Sequence, residues 1–242
     1  VMDEQAADPL AAFRLANTAG TLNLARQAAA VGVRRFVFVS SIKVNGEQTP
    51  PGGAFRFDDV PAPLDPYGVS KREAEDGLRE LGASSGMEIV IVRPPLVYGP
   101  GVKANFAALM RAVRSGWPLP LGDVTANRRS LVALDNLVDL LAHCIHHPAA
   151  AGQTFLASDG EDLSTAELLK RMGQALGRPA RLLPVPVSLL GIGAALVGRR
   201  AVAQRLLGSL QVDIAHTRNT LGWAPPVSVD EGLRRAAMGL PT

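Results

Sequence analysis

Apolar residues fall along this chain in short continuous runs, separated by longer stretches with helical spacing. Phe36-Val37-Phe38-Val39 is a run of the first kind, and Met87 to Val92 is another. Four β-branched or aromatic residues in a row predict a strand buried on both faces, as in a parallel sheet. Between the two runs, the pattern from Tyr67 through Arg72, Glu73, Glu75 and Leu78 to about Ala83 predicts a charged helix. Strand, helix, strand makes a right-handed parallel unit. Upstream, Leu10, Phe13, Leu15, Leu22 and Leu24 predict a helix over about Pro9 to Ala30, with Gly32 placed to stop it.

The second half is mixed. A helix is predicted from about Asn105 to Ser115 and a short strand from Arg129 to Leu134. Asp135 is placed to cap a helix running to His147, and Gln153 to Ala157 reads as a strand. Ser164 and Glu167 have the spacing of a capping box, so a helix starts there. Pro184-Val185-Pro186 leads into an apolar helix, and two short helices flank Leu221-Gly222-Trp223-Ala224-Pro225. The order predicts an α/β protein, a Rossmann-like doubly wound parallel sheet with a smaller C-terminal α/β lobe. Residues 1–100 read as the partial dinucleotide-binding and catalytic domain. Residues 101–242 read mostly as a substrate lobe, with some segments returning to the first sheet. Such a fold ordinarily opens with a strand and a Gly-rich turn. Neither precedes the first helix, so the sequence enters the fold partway.

Composition narrows the class. Hydrophobic residues make up 47% of the 242 and charged residues 19%, enough apolar content for a substantial core. The net charge is +3, from 21 Arg and 4 Lys against 22 acids. No basic run is interleaved with aromatics, so nucleic acid is not an expected partner. The single cysteine, Cys144, excludes an intrachain disulfide and suits a reducing, cytoplasmic compartment. The most apolar stretch, Val185 to Val197, is short and contains Pro186 and glycines, so it reads as a buried helix and not as a membrane insertion.

Candidate chemistry gathers between Arg35 and Lys71. The Phe36 strand stops at Ser40-Ser41, and in open α/β sheets ligands bind beyond the carboxyl ends of strands. Tyr67 and Lys71 are four apart, one turn along one helix face. An ammonium beside a phenol favours the phenolate, which predicts a Tyr67 pKa drawn down towards working pH. A serine hydroxyl nearby can hold the oxygen whose proton the tyrosine takes.

Ser41 followed by Tyr67-x-x-x-Lys71 resembles the short-chain dehydrogenase/reductases. Val39-Ser40-Ser41-Ile42-Lys43-Val44-Asn45-Gly46 with Pro66-Tyr67-Gly68-Val69-Ser70-Lys71 is similar to the extended branch, the NAD-dependent epimerase/dehydratases of nucleotide sugars. The tail, Asp213…Leu221-Gly222-Trp223…Pro226…Ser228…Glu231-Gly232-Leu233, resembles that family's ending. What the chain does not match is the family's beginning. The resemblance therefore implies further N-terminal residues in the natural protein, and poor NAD affinity without them.

The resemblance implies Ser41, Tyr67 and Lys71 as catalytic residues. Asn17, in Asn17-Thr18-Ala19-Gly20-Thr21, is implied near the cofactor, with Tyr67, Lys71 and Pro94; a backbone-bonded helix asparagine and a simple strand terminator are the competing readings of Asn17 and Pro94. Ser41, Lys43, Asn105, Arg129 and Arg205 are the substrate-binding candidates, since an arginine fork suits phosphate; solvated surface arginines are the alternative. The cofactor implied is NAD, with NADP as the other option. The partners implied are a UDP-sugar or related nucleotide sugar and a second copy in a homodimer. Dehydratases of this branch carry an acidic pair after the Ser/Thr; Ile42-Lys43 stands there and argues against dehydration. Three functions stay open: a nucleotide-sugar epimerase working by transient oxidation at C4, a 4-ketoreductase of a UDP-deoxy- or amino-sugar for surface polysaccharide, and a non-catalytic NAD(P)-sensing regulator. Retention of both Tyr67 and Lys71 disfavours the last.

Two tempting patterns fail. Gly191-Ile192-Gly193 lacks a preceding strand and a third glycine, so it is no dinucleotide fingerprint, and its glycines read as allowing close helix packing. His143, His146 and His147 with Cys144 have no carboxylate or second cysteine to complete a metal site, and histidines suit the end of a helix.

Overall fold

The computed structural model describes residues 7–101, 104–196, 198 and 200–240, without the side chains of 104, 105, 200 and 201. The chain opens with helix α1 (Pro9–Phe13), capped by Asp8, whose carboxylate accepts from the Ala11 N–H. A π-helical turn, Arg14–Ala19, joins it to α2 (Gly20–Ala30). That wider turn shifts the phase of the helix face. Phe13, Asn17 and Ala25 face inward, whereas Leu15 and Leu24 are exposed, against the sequence pattern. Leu22 remains on the inner side, packed so closely on the helix Pro66–Ser85 that a side chain at Gly77 would meet it at 2.7 Å.

Strand β1 (Arg35–Val39) follows, then a 3₁₀ turn (Ile42–Val44), α3 (Pro66–Ser85) and β2 (Glu88–Arg93). β1 and β2 run parallel in register from Arg35 opposite Glu88 to Val39 opposite Val92. β2 is buried through Arg93, but β1 is only partly so, with Val39 38% exposed. β1 forms the edge of its sheet among the described residues, which is why it is not covered on all sides.

Beyond β2 come β3 (Leu96–Tyr98), α4 (Ala104–Ser115), β4 (Arg129–Ala133) and α5 (Leu134–His146). Asp135 is not the cap of α5; Ala133 holds that position without a side-chain bond, and Asp135 lies in the first turn, paired with Arg235 at 3.0 Å. β5 (Thr154–Leu156) returns to lie parallel beside β2, so the first sheet reads β1-β2-β5. β6 (Asp162–Leu163) pairs antiparallel with β4, and β4 parallel with β3, to make a second sheet. The remaining helices are α6 (Thr165–Ala175), α7 (Val187–Leu196), α8 (Arg200–Leu207), α9 (Ala215–Leu221) and α10 (Val229–Met238). The capping box opens α6: the Ser164 hydroxyl accepts from the Glu167 N–H at 3.1 Å, and Glu167 accepts from the Ser164 N–H at 2.8 Å.

Three apolar clusters hold these layers. One packs α2 and α3 on one face of the first sheet, through Ala25, Phe38, Ala74, Leu78, Ile89 and Ile91. Another fills the opposite face with α5, β5 and the tail, through Val90, Val92, Leu140, Phe155 and Trp223. The third lies beneath the second sheet between α4, α6 and α10. Helix α7 departs from expectation: none of its residues is buried, and side chains at Gly191 and Gly193 would meet nothing within 4 Å. Its glycines serve no close packing.

Candidate active site

The carboxyl end of β1 presents the candidate residues. Ser40 turns inward, with its backbone N–H on the Val92 carbonyl, and Ser41 begins the 3₁₀ turn. The Ser41 hydroxyl caps that turn by accepting from the Lys43 N–H at 3.2 Å. Its own proton therefore stays available to a second acceptor. The turn lies against α3 at Gly68, where an added Cβ would stand 2.8 Å from the Lys43 carbonyl oxygen. Glycine is thus what lets the Ser41 turn reach the helix beside Tyr67.

Helix α3 starts where Asp65 caps it, one carboxylate oxygen accepting from the Gly68 N–H at 2.6 Å. The other oxygen of Asp65 pairs with the Lys43 ammonium, which also stands 3.1 Å from Glu47. Tyr67 lies in the first turn of α3, its ring edge-on to the buried Phe13 at 5.6 Å. Lys71 is one turn further; its ammonium donates to the Val39 carbonyl at 3.0 Å and lies 4.6 Å above the Phe38 ring. Ser41, Tyr67 and Lys71 are thus brought to one sheet end.

The electrostatics differ from the sequence expectation. Burial pushes the Tyr67 phenol above its ordinary value; the Lys43 cation and a hydrogen bond from Ser41 oppose this, while Asp65 adds to it. The Lys71 ammonium is turned to the Val39 carbonyl and stands 5.9 Å from the centre of the phenol ring. Burial lowers the pKa of Lys71 and the charge of Glu75 opposes it. Lys43 is a cation that opposes the effect of burial on the phenol.

Asn17 is buried in the π-helical turn, and its side chain donates to the Ser70 hydroxyl at 3.0 Å, next to Lys71. Thr18 adds a bond to the Ser70 carbonyl at 2.9 Å. Pro94 is buried, with its carbonyl engaged by the Ile42 N–H. The donor set at this end fits the ribose of a dinucleotide: one ammonium with protons to spare, a phenol, and an asparagine fixed beside them.

The substrate candidates are less concentrated. Arg129 opens β4 and donates to the Gly208 carbonyl at 3.1 Å; burial lowers its pKa, the charge of Glu47 opposes this and that of Arg205 adds to it. Lys43, Glu47, Arg129 and Arg205 thus form a string of charges from the Tyr67 helix cap to α8. Arg205 itself is exposed. The side chain of Asn105 lies outside the described residues.

Sequence reasoning missed the support behind this end. Glu75, fully buried, accepts from Arg93 at 2.9 and 2.6 Å and from Ser40 at 2.5 Å. Arg93 also donates to Asn45 at 2.9 Å, and Asn45 to the Arg56 carbonyl at 2.9 Å. One network therefore ties β1, β2, the loop and α3 together. The signal was present: Glu75 is one turn beyond Lys71, and Arg93 ends an otherwise apolar strand.

A family model described as the NAD dependent epimerase/dehydratase family matches residues 2–157. A UDP-glucose 4-epimerase of Vibrio cholerae is 54% identical over 237 residues, which cover 98% of this chain and 72% of that protein. Among solved structures, a UDP-glucuronic acid 4-epimerase from Bacillus cereus in complex with NAD superposes with a TM-score of 0.73 at 21% identity, over 93% of this chain and 65% of that one. RMD from Pseudomonas aeruginosa, complexed with NADPH, gives 0.74 at 21% identity over 93% and 73%. The two structural likenesses show a shared fold.

Proposed function

We propose a function for a chain that belongs to the NAD-dependent epimerase/dehydratase family: it epimerises a nucleotide sugar through transient oxidation at C4, with Tyr67 as acid and base. The observation that carries this is the meeting of Ser41, Tyr67 and Lys71 at the carboxyl end of β1, in a chain 54% identical to a UDP-glucose 4-epimerase. The substrate class is a UDP-sugar or a related nucleotide sugar. NAD, with NADP as the other option, a homodimer and a cytoplasmic setting complete the reading, with catalysis in the part before about residue 100 and substrate held mainly by the rest.

Tyr67, as phenolate, takes the proton of the sugar hydroxyl. Ser41 donates to the same sugar oxygen with the proton its capping role leaves free. NAD, when bound, supplies reversible two-electron oxidation of the alcohol carbon. Lys71 and Asn17 hold the cofactor ribose, and Arg129 with Arg205 meets the diphosphate of the substrate. Tyr67 returns its proton once the keto sugar has turned its other face. Elimination of water has no acidic pair to drive it: Ile42 is buried and Lys43 is engaged by Asp65 and Glu47.

A 4-ketoreductase is the competing reading, favoured by Leu96, which is 44% exposed at the start of β3, where epimerases of the resemblance often hold a substrate-binding asparagine. The two part on stoichiometry. UDP-glucose with a trace of NAD gives UDP-galactose if the protein is an epimerase; accumulation of a net oxidised or reduced sugar, with no epimer, supports the reductase instead.

A further inference from the structure

Helix α7 leaves much of its apolar surface uncovered. Its ten residues carry no charge, yet none is buried; Leu189 and Ile192 are each 58% exposed and Leu196 83%. A helix apolar all round belongs in a core or a membrane, and exposed in this way it marks a contact surface. The chain entering α7 adds Leu183, 48% exposed. Through the bridge between Leu119 and Leu182, that segment adjoins the turn carrying Trp117, 71% exposed.

The segment that leads into α7 is basic, with no Asp or Glu from 168 to 212 of the sequence. Arg178 and Arg181 are exposed. Arg178 lies on the Gly116 turn, next to Trp117, and donates to the Arg114 carbonyl at 2.7 Å. Asp123 follows the Gly122 turn that closes on Leu183, so one acid adjoins the patch.

We propose that α7, with Leu183 and Trp117, is a peripheral docking surface for an anionic lipid bilayer. At ten residues α7 is about 15 Å long, against a hydrocarbon core of about 30 Å. No helix among the described residues is long and apolar enough to cross a membrane. With Leu190 packed on the core beneath it, α7 therefore lies along the headgroup boundary, Leu189, Ile192 and Leu196 inward, Trp117 at the interface, and Arg178 and Arg181 on lipid phosphates. A second copy of the chain would bring arginines against arginines, whereas an anionic surface complements them. The inference stands apart from the catalytic reading, because α7 supplies no residue to that site.

The test is sedimentation of the whole chain with vesicles of phosphatidylcholine alone, or mixed in equal part with phosphatidylglycerol, read alongside tryptophan emission. Trp223 is 2% exposed and bonded to Asp139 at 2.8 Å, so a shift on binding reports Trp117. The expected result is sedimentation with the anionic vesicles, a blue shift that Trp117→Phe abolishes, and release by salt. Leu189→Asp with Ile192→Asp weakens partitioning by about tenfold or more, and Arg181→Glu severalfold. These side chains are exposed, so unchanged Trp223 emission and unfolding midpoint verify the variants. The salt and lipid dependence of the unmodified chain decides the matter without them. Equal binding to neutral vesicles, binding to neither, or self-association that Leu189→Asp abolishes with no vesicle binding overturns the proposal.

Discussion

Arg93 grips Glu75 through two hydrogen bonds, of 2.9 and 2.6 Å, where neither side chain meets water to any extent. Breaking one side of a buried pair strands a charge, which is far worse than replacing both. Glu75→Ala alone, which strands Arg93, is therefore expected to lower stability by about 3–5 kcal/mol, read from the urea midpoint; Arg93→Met is expected to cost less, since Arg79 still donates to Glu75 at 3.1 Å. Arg93→Met combined with Glu75→Leu is expected to cost less than the two single changes added together. Strict additivity would show that the pair is not coupled.

Gly68 sets the distance between the Ser41 turn and the Tyr67 helix. Gly68→Ala places a methyl 2.8 Å from the Lys43 carbonyl oxygen and beside the Asp65 cap. Overpacking of this kind destabilises by about 1–3 kcal/mol, and turnover should fall by more than the lost folded fraction explains. Activity per folded molecule equal to the parent's would contradict the close fit.

Lys43 is a cation that holds the Tyr67 pKa down against burial. Removing it leaves only the Ser41 hydrogen bond to oppose burial and Asp65, so the phenol's pKa rises. In Lys43→Met the ascending, acid-side limb of the kcat/KM profile should move to higher pH, with activity at pH 7 lost and partly recovered on raising the pH. Lys43→Arg should keep the parent's profile. An unshifted limb in the methionine variant would assign Lys43 to substrate binding alone, and KM would then carry the whole effect.

Ser41 has two duties, capping and donating. Ser41→Ala should reduce kcat by about 100-fold with KM little changed, as for loss of one donor to a developing oxyanion. Ser41→Thr keeps both duties and should restore most of the rate. A change confined to KM would place the hydroxyl on the ground-state sugar only.

The parts of this molecule that were legible in its sequence share a property: their partners are local. The run from Phe36 to Val39 stopping at Ser40-Ser41, the Tyr67 and Lys71 spacing and the Ser164–Glu167 box each sit within a turn or one strand end, and all are found where the pattern put them. What was illegible depends on tertiary neighbours. The π-helical turn rotated Leu15 and Leu24 outward without any residue announcing it. The Tyr67 pKa rises where the spacing predicts a fall because burial of the phenol outweighs the nearby Lys43 cation, and burial is a property that helical spacing alone does not specify. Helix α7 read as buried because an all-apolar helix has no face to distinguish, and only the fold shows it bare.

The most direct test of the central claim compares the protein with its Tyr67→Phe variant in the interconversion of UDP-glucose and UDP-galactose with NAD, followed by proton NMR. Loss of the phenolic proton carrier should slow epimerisation by about 10²–10⁴-fold, with the urea midpoint unchanged. Turnover at the parent's rate in the phenylalanine variant would contradict the role given to Tyr67 and the mechanism with it.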